Sequence, residues 1–268
     1  MTDPAPVVEI RPAATLMLVR DGVDGMEVLM LRRNPDSIFA ADAWVFPGGA
    51  VDPADGDLPP AGLLGPTDDD ASATLGLSAG GRAFFVAAAR ECFEEAGVLL
   101  ARHPSSGAVL DTSSELDATR FARHRRDLLA GRRSLAEMLA AEGLVLDLTE
   151  VFYVSHWITP PGPPRRFDTR FFVAAAPAGQ AASHDTAETV ESVWTSPGRA
   201  LERRAAGEIH LVFPTIKNLE ALARFPASAD LLAAARAIDT VPLVAPRFGG
   251  DSRIPAPALE NPERTCPT

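Results

Sequence analysis

Residues 82–96 constrain the fold more than any other stretch, because an apolar helical period and a dense group of charges share this one segment. Apolar side chains recur there at intervals of three and four residues, which is the period of one helix face. These positions are Phe85, Val86, Ala89, Phe93 and Ala96. Gly97 follows directly, and a glycine in the left-handed conformation commonly ends a helix. The pattern predicts a helix whose apolar face packs against a second layer of the protein.

Strand patterns lie on both sides of this helix in the sequence. The apolar runs 13–20 and 26–32 are separated by Asp-Gly steps, which are typical of a β-hairpin. The short apolar run 44–46 leads directly into Pro47-Gly48-Gly49, where glycine lets the backbone approach a neighbouring group closely. Further strands are predicted at 151–158, 171–176 and 190–194, and further helices at 197–204, 214–225 and 231–238. This order predicts an α/β sandwich with a mixed sheet and additional helices.

Three other regions of the sequence are predicted to lie outside the sheet: a loop, a helical region and a tail. Residues 52–81 are rich in Pro, Gly, Asp and Ala and show no helical or strand period, so we expect a long loop. Residues 120–142 predict a helical region broken at Gly131, with arginines on a solvated face. From residue 241 onward, prolines and polar residues predict a surface tail.

The charged side of the helix is formed by Arg90, Glu91, Glu94 and Glu95. Carboxylates four residues apart, such as Glu91 and Glu95, repel each other on a helix, and a divalent cation removes this repulsion. Ligands that are all oxygen favour a hard ion, Mg²⁺ or Mn²⁺, over zinc. Arg90 lies four residues before Glu94, so this pair can hold the cluster in place. A single Glu-Glu pair usually marks a solvated surface, but these four residues and Gly97 coincide by chance only at about 10⁻⁶ per position.

Composition excludes several classes of partner. The chain has 36 acidic and 25 basic residues, and a net charge of -11 repels nucleic acid and anionic lipid. We therefore expect neither a nucleic acid nor a membrane as partner, and no apolar run approaches the ~20 residues of a membrane span. The two cysteines, Cys92 and Cys266, cannot form a disulfide framework or a zinc site alone, which favours a reducing, cytoplasmic location. Cys92 next to carboxylates is interpreted as an inert core residue.

A second group of candidate residues follows the Pro-rich turn at 159–164. Arg166 and Arg170 are assigned to substrate binding, because arginine forms paired hydrogen bonds with phosphate. Ordinary surface charge explains these arginines equally well. Asp168, between them, is expected to cap or pair locally.

The segment 90–98 resembles the second half of the Nudix box, Gly-x5-Glu-x7-Arg-Glu-U-x-Glu-Glu-x-Gly-U, where U is a bulky aliphatic residue. The first half of the box is represented by the segment Phe-Pro-Gly-Gly-Ala-Val-Asp at 46–52. Cys92 replaces one aliphatic residue, Asp55 stands where the family has glutamate, and residues 56–81 are interpreted as an insertion within the box. The change at Asp55 concerns the first-half glutamate and leaves the metal cluster intact.

The inserted box, together with 44–49 and 165–172, looks like the acyl-coenzyme A diphosphatase branch of the Nudix superfamily, over roughly 13–225. The resemblance implies a Nudix-type α/β/α sandwich that hydrolyses a nucleoside diphosphate linked to another group, such as coenzyme A or its acyl esters. It implies that Glu91, Glu94 and Glu95 hold Mg²⁺ or Mn²⁺, with Arg90 also catalytic. ADP-ribose or dinucleotides, nucleoside triphosphates and a non-catalytic nucleotide-sensing module are the alternatives.

The same resemblance implies a glutamate outside the helix that assists catalysis. Glu188 and Glu191 are the candidates, and Glu188 is the one that we select. Gly48 and Gly49 are assigned to substrate binding, and a carbonyl of either can add a metal ligand. We expect the binding partner to be a small-molecule nucleoside diphosphate derivative. The sequence leaves the oligomeric state open, and a homodimer is one possibility.

The predicted organisation is one Nudix domain, 1–240, followed by a Pro-rich tail, 241–268. Within the domain the box is split as 48–55 and 90–98. The insertion at about 56–81 is expected to be a surface excursion near the substrate entrance, and a helical insert is expected at about 115–143.

Overall fold

The computed structural model describes residues 8–37, 40–185 and 188–246 of the chain. The helices are α1 (Asp68–Leu75), α2 (Gly81–Ala96), α3 (Glu115–Leu129), α4 (Leu135–Glu142), α5 (Pro197–Ala205), α6 (Phe213–Leu222) and α7 (Ser228–Arg236). The strands are β1 (Ile10–Gly22), β2 (Gly25–Arg33), β3 (Ala43–Val45), β4 (Gly48–Ala50), β5 (Leu63–Leu64), β6 (Ala101–Arg102), β7 (Val145–Asp147), β8 (Phe152–Ile158), β9 (Arg166–Ala175), β10 (Thr189–Thr195), β11 (His210–Leu211) and β12 (Leu243–Val244). Within these ranges every helix is too short or too polar to span a bilayer.

A mixed sheet of nine strands forms the centre of the molecule. Its main path runs β11-β3-β2-β1-β9-β8-β12, while β10 pairs with β2 and β4 pairs with β1. The strands β1 and β9 are parallel, whereas β1 is antiparallel to both β2 and β4. A smaller sheet has the order β5-β7-β6.

Both faces of the central sheet are covered, as an α/β/α sandwich requires. Along β1, Leu16 and Leu18 pack on the side of α2, while Met17 and Val19 pack on the opposite side with residues of α5, α6 and α7. Because successive side chains of a strand point to opposite faces, a strand buried on both faces has a continuous apolar run. The sequence prediction of an α/β sandwich with a mixed sheet is confirmed.

The elements with the strongest periodicity lie where the sequence predicts them. The first two apolar runs form the β1–β2 hairpin, with Gly22 paired to Gly25. Helix α2 ends at Gly97, whose φ of 71° places it in the left-handed region. The helical region around Gly131 consists of α3 and α4, and Gly131 itself has a φ of 64°.

The prediction that residues 52–81 form a loop without secondary structure is wrong. This segment contains two short 3₁₀ helices (Pro53–Gly56 and Pro60–Gly62), strand β5 and helix α1. Ala71 and Leu75 of α1 are buried in the same cluster as α2, so the segment is part of the core and not a surface excursion. A capping box formed by Thr67 and Asp70 begins α1.

The C-terminal boundary also differs from the prediction. Leu243 and Val244, assigned to the tail, form β12 and pair in parallel with His156 and Trp157 of β8. Residues 247–268, the rest of the predicted tail, lie outside the described residues.

Candidate active site

Helix α2 brings three glutamates to the edge of the central sheet. It packs on β1 and β4, and its C-terminal half carries Glu91, Glu94 and Glu95. Glu95 is 3% exposed, and the exposed fractions of the Glu91 and Glu94 side chains are 14% and 16%. The helix therefore places the whole cluster in a largely desolvated position.

Gly48 and Gly49 allow the sheet to approach these carboxylates. The backbone N–H of Gly48 donates to Oε2 of Glu95 over 2.9 Å. A Cβ on Gly49 would lie 2.5 Å from Oε1 of Glu91, and one on Gly48 would lie 2.6 Å from the carbonyl oxygen of Ala14. At Gly48 a larger residue would clash with the backbone of β1, whereas at Gly49 it would displace the carboxylate of Glu91 from the cluster.

Arg90 binds both halves of the site together. Its Nη1 donates to Oε1 of Glu91 at 2.9 Å and to Oε2 of Glu94 at 2.8 Å. Its Nη2 donates to the backbone carbonyl of Ala50 at 2.9 Å. The predicted ion pair between Arg90 and Glu94 is confirmed, and the guanidinium additionally anchors the segment after β4.

Asp55, which stands at the position of the first-half glutamate, lies in the site and makes a contact with Arg90 that the sequence did not reveal. It is buried, and it accepts from Nε of Arg90 at 2.7 Å and from Nη2 at 3.0 Å. Its Oδ2 also accepts from the backbone N–H of Asp52, within a capping box at the 3₁₀ helix Pro53–Gly56. Asp55 thus fixes Arg90 from the side opposite the glutamates, through a paired interaction of the strong type.

The cluster holds more negative charge than Arg90 alone balances. Burial raises the pKa of Glu91 to about 7, and the neighbouring Glu94 adds to this shift while Arg90 opposes it. Burial also raises the pKa of Glu94, and it raises that of Glu95 well above the usual range, with the charge of Glu91 contributing. A cation at the cluster would favour the charged forms and remove their repulsion.

The carboxylate oxygens of the cluster are suitable ligands for a divalent metal, although one oxygen of each glutamate accepts a hydrogen bond from Arg90 or Gly48. Among the described residues, no three His, Cys, Asp or Glu side chains form a group ready to bind a metal. Arg90 takes one oxygen of Glu91 and one of Glu94, while Gly48 takes one of Glu95. These hydrogen bonds leave the second oxygen of each carboxylate available to a ligand, and oxygen donors are the ligands of hard cations.

Of the two glutamates considered outside the helix, Glu188 is close enough for its charge to act on the cluster. Its charge contributes to the raised pKa values of Glu91, Glu94 and Glu95. Its carbonyl oxygen accepts from the backbone N–H of Asn34, which attaches it to the end of β2. Glu191 instead lies 3.6 Å from Arg32 in an exposed ion pair.

The structure does not bring Arg166 and Arg170 to the carboxylates. Nε of Arg166 donates to the carbonyl of Thr159. Arg170 is buried, with its guanidinium 4.3 Å from the ring centroid of Phe84 and its Nη1 3.3 Å from Asp168. In the described residues no hydrogen bond or ion pair joins either arginine to α2 glutamates, so their role in substrate binding stays a prediction.

Arg125 was assigned to a solvated helix face, and this assignment is wrong. It is 7% exposed, and its Nε donates to the carbonyl of Glu94 at 2.7 Å. Its Nη1 donates to Ser183 and to the carbonyl of His184, in the segment that precedes Glu188. Arg125 therefore ties the C-terminal end of α2 to that segment, where cationic groups also interact favourably with the helix dipole.

Cys92 has the inert character that the sequence indicates. Its thiol is free and fully buried on α2. Burial raises the pKa of the thiol, and the nearby charge of Glu95 raises it further. A neutral buried thiol is a poor nucleophile.

Comparison with known proteins identifies the family to which this site belongs. The family model of the NUDT19 Nudix domain matches residues 67–222, which include all three α2 glutamates. The chain belongs to this Nudix family. The match begins after Gly48 and Gly49, so the first half of the box rests on the sequence pattern and on the geometry described above.

Relatives and a solved structure agree with this assignment. The acyl-coenzyme A diphosphatase NUDT19 of Homo sapiens is 32% identical over 242 residues, which cover 78% of this chain and 63% of the human protein. The protein of the same name from Gallus gallus is 30% identical over 238 residues, covering 76% of this chain and 63% of the relative. The chain thus spans just under two thirds of the length of these relatives.

The crystal structure of a Nudix hydrolase from Alicyclobacillus acidocaldarius is 32% identical. It superimposes with a TM-score of 0.70 and covers 85% of this chain and 97% of the other. The Nudix-type fold expected from the sequence is confirmed.

Proposed function

We propose that this protein is a metal-dependent diphosphohydrolase that cleaves the diphosphate of coenzyme A or its acyl esters. One observation carries the proposal: Glu91, Glu94 and Glu95 form a largely buried cluster beside β4, in which Arg90 binds Glu91 and Glu94 and the backbone N–H of Gly48 binds Glu95. The acyl-coenzyme A diphosphatase relatives support coenzyme A as the substrate class. A cytoplasmic location remains part of this proposal and rests on the cysteine content.

Nudix hydrolases generally use divalent metal ions, and we propose Mg²⁺ or Mn²⁺ here. Glu91, Glu94 and Glu95 would hold the ion, which neutralises the diphosphate and lowers the pKa of a bound water when present. Arg90 and Asp55 keep the glutamates in place. Glu188, whose charge acts on the cluster, would accept a proton from an attacking water.

The reaction adds water across the phosphorus–oxygen–phosphorus bridge. The hydroxyl oxygen bonds to one phosphorus, and the bridging oxygen leaves with the other phosphate. Two phosphate monoesters result, and a proton is released to the base or to solvent.

The test measures hydrolysis by the wild type and by Glu95→Gln. Coenzyme A, acyl-coenzyme A, ADP-ribose, NADH and nucleoside triphosphates are supplied with Mg²⁺ or Mn²⁺, and products are separated by chromatography. We expect the coenzyme A compounds to be cleaved best and turnover to disappear with excess chelator. Glu95→Gln removes a charge that would hold the metal, and a bound metal stabilises the transition state by several kcal/mol. The substitution should therefore lower turnover about 100-fold or more.

Glu95→Gln preserves the oxygen that accepts from Gly48, so we expect its melting midpoint without metal to stay unchanged or to rise slightly. Glu202→Gln on the exposed side of α5 is the matched control and should leave activity unchanged. Preferred cleavage of ADP-ribose, dinucleotides or triphosphates would support those alternatives. Tight nucleotide binding without any cleavage would support a sensing module, and full activity in chelator would contradict the mechanism.

A further inference from the structure

A cavity of about 450 Å³ opens beside the carboxylate cluster. One end is lined by Asp55, Arg90 and Glu94. The cavity extends away from the cluster between residues 52–58 and the helical hairpin formed by α3 and α4. Its volume lies within the range of small-molecule sites, about 300–1,000 Å³.

Much of the cavity wall is apolar, although Arg133 and Ser134 of the hairpin also line it. The apolar side chains come from helices α2, α3 and α4 and from the segment between the two 3₁₀ helices, and they are Leu58, Val86, Leu128, Leu135 and Ala136. Leu58 is 3% exposed and Leu135 is 7% exposed, so the cavity reaches into the packed layer above the sheet. An apolar wall of this kind binds hydrocarbon in preference to charged groups.

The charges around the cavity also disfavour a second phosphate. Asp52, Asp55, Asp57 and Glu94 line it, against Arg90 and Arg133. Arg90 is already bound to Asp55 and Glu94, and Nη1 of Arg133 lies 3.3 Å from Nδ1 of His124. A ligand without charge is therefore favoured beyond the cluster.

The walls are held in place by polar contacts behind the apolar lining. On one side, Arg82 donates to the carbonyl of Leu58 at 3.2 Å. On the other side, Nε2 of His124 lies 2.7 Å from Glu142, which joins α3 to the end of α4. The shape of the cavity is thus largely formed without a ligand, which lowers the entropic cost of binding.

We propose that this cavity binds the uncharged arm on the far side of the scissile diphosphate, which in coenzyme A is the pantetheine arm. The arm leaves the diphosphate at the carboxylate cluster and runs along the apolar wall between residues 52–58 and the α3–α4 hairpin. This inference rests on the proposed function, since the diphosphate must be bound at the cluster. In this proposal, residues 52–58 and the α3–α4 hairpin select the substrate.

Dephospho-coenzyme A and ADP-ribose test this assignment, because both contain the same ADP and differ in the group attached to it. The wild type should show a kcat/KM about tenfold or more higher for dephospho-coenzyme A than for ADP-ribose. Ala136→Phe fills the cavity from α4 and should lower kcat/KM for dephospho-coenzyme A about tenfold or more, so that the ratio falls. Ala140→Phe adds the same ring to an exposed position of the same helix and should leave both values unchanged.

Melting midpoints of both variants establish that they are folded, and Ala136→Leu provides a smaller substitution if the phenylalanine lowers the midpoint. An unchanged ratio in a folded Ala136→Phe or Ala136→Leu protein would overturn the inference alone. An equal fall for both substrates would place the shared ADP in the cavity and would also overturn it. Failure of the wild type to cleave either compound with Mg²⁺ or Mn²⁺ would instead contradict the proposed function.

Discussion

Arg90 determines the geometry of the site at the scale of single residues. Its Nε and Nη2 donate to Asp55, and Nη2 also donates to the carbonyl of Ala50. Its Nη1 donates to both Glu91 and Glu94. Lysine, which has one compact ammonium group, could not make this set of contacts. The arginine thus acts as a fixed positive charge that keeps three carboxylates within a small volume.

The pairing of Asp55 with Arg90 leads to a prediction about stability. Breaking a buried ion pair usually costs about 3–5 kcal/mol, because one charge remains buried without a partner. Arg90 would keep Glu91 and Glu94, so we expect Asp55→Asn to lower the free energy of unfolding by a smaller amount, about 2 kcal/mol. Denaturant unfolding of the metal-free protein measures this value.

Asp57→Asn is the control for that measurement, because Asp57 lies two residues away and is exposed. Its effect should remain within about 0.5 kcal/mol. If both variants unfold at the same denaturant concentration as the wild type, the Asp55–Arg90 pair does not stabilise the fold.

The raised pKa of Glu91 leads to a prediction about metal binding. With a pKa of about 7, Glu91 carries a proton in most molecules below pH 7, and a cation must displace this proton to bind. The apparent affinity for Mn²⁺ should therefore rise by about tenfold or more per pH unit as the pH rises toward 7. Because the pKa of Glu95 is raised still further, the affinity should continue to rise above pH 7. Isothermal titration calorimetry in buffers of different ionisation enthalpy measures both affinity and proton release.

In Glu91→Gln this proton is absent, so the pH dependence should become shallower by about one proton. Glu137→Gln on α4 provides the control, because Glu137 is exposed and caps its own helix. An affinity that does not change between pH 5.5 and 7 in the wild type would show that Glu91 is already charged in the folded protein.

Single residues also show where sequence reasoning ends. The spacing of Glu91, Glu94 and Glu95 is local, so their common location follows from helix geometry alone. Asp55 lies 35 positions from Arg90, and only the folded chain shows that they meet. Arg125 was misassigned because a helical arginine between polar residues is usually solvated, and the unpaired carbonyl of Glu94 that it binds is not visible in the sequence.

At the scale of elements, predictability depends on whether a segment is stabilised by its own pattern or by its neighbours. The apolar period of α2 is clear over four turns, and the β1–β2 hairpin has both alternation and turn residues. Helix α1 has only eight residues, and its order depends on packing Ala71 and Leu75 against α2. The local indications of α1 are the Thr67-x-x-Asp70 capping signal and Gly76, which ends the helix in the left-handed conformation.

The contact between α1 and α2 can be tested at Gly81. Asp68 accepts from the backbone N–H groups of Gly80 and Arg82, and a Cβ on Gly81 would lie 2.3 Å from the backbone nitrogen of Ser72. Gly81→Ala should therefore force the two helices apart and lower the free energy of unfolding by about 1–3 kcal/mol. Thermal or denaturant unfolding measures this change.

Gly198→Ala is the matched control, since Gly198 also lies in the first turn of a helix and nothing lies within 4 Å of a Cβ there. This variant should be neutral or more stable by up to about 1 kcal/mol, because alanine has the higher helix propensity. Equal stability of both variants would mean that α1 can move away from α2 at little cost, and residues 56–81 would then behave as the surface excursion that the sequence suggested.

At the scale of the whole molecule, the two faces of the sheet have separate tasks. Helices α5, α6 and α7 complete the core on one face, whereas α1 to α4 cover the other face and surround the carboxylate cluster. Residues 56–81 and the α3–α4 hairpin, which the sequence predicts to be insertions, pack in the layer that contains α2. The cavity beside the cluster is lined in part by Leu58 and by this hairpin, so this is the face where we propose that the substrate is selected.

Because the net charge is -11, divalent cations can bind either to the carboxylate cluster or elsewhere on the acidic surface. Thermal stability measured with and without these cations tests which of the two occurs. A cation that binds only the folded state at about 100 times its Kd adds about 2.7 kcal/mol to the free energy of unfolding. For a domain of this size, that corresponds to a rise of about 5–10 °C in the melting midpoint. We expect this rise for the wild type with Mn²⁺ or Mg²⁺, measured by scanning calorimetry.

Any salt also screens the repulsion among the acidic residues, so the reference must be KCl at the same ionic strength. Screening acts equally on the wild type and on Glu95→Gln, whereas specific binding requires the carboxylates of the cluster. The rise beyond the KCl reference should therefore be lost in Glu95→Gln. If the variant keeps the full rise, the cation binds elsewhere on the acidic surface, and the α2 glutamates are not the metal site.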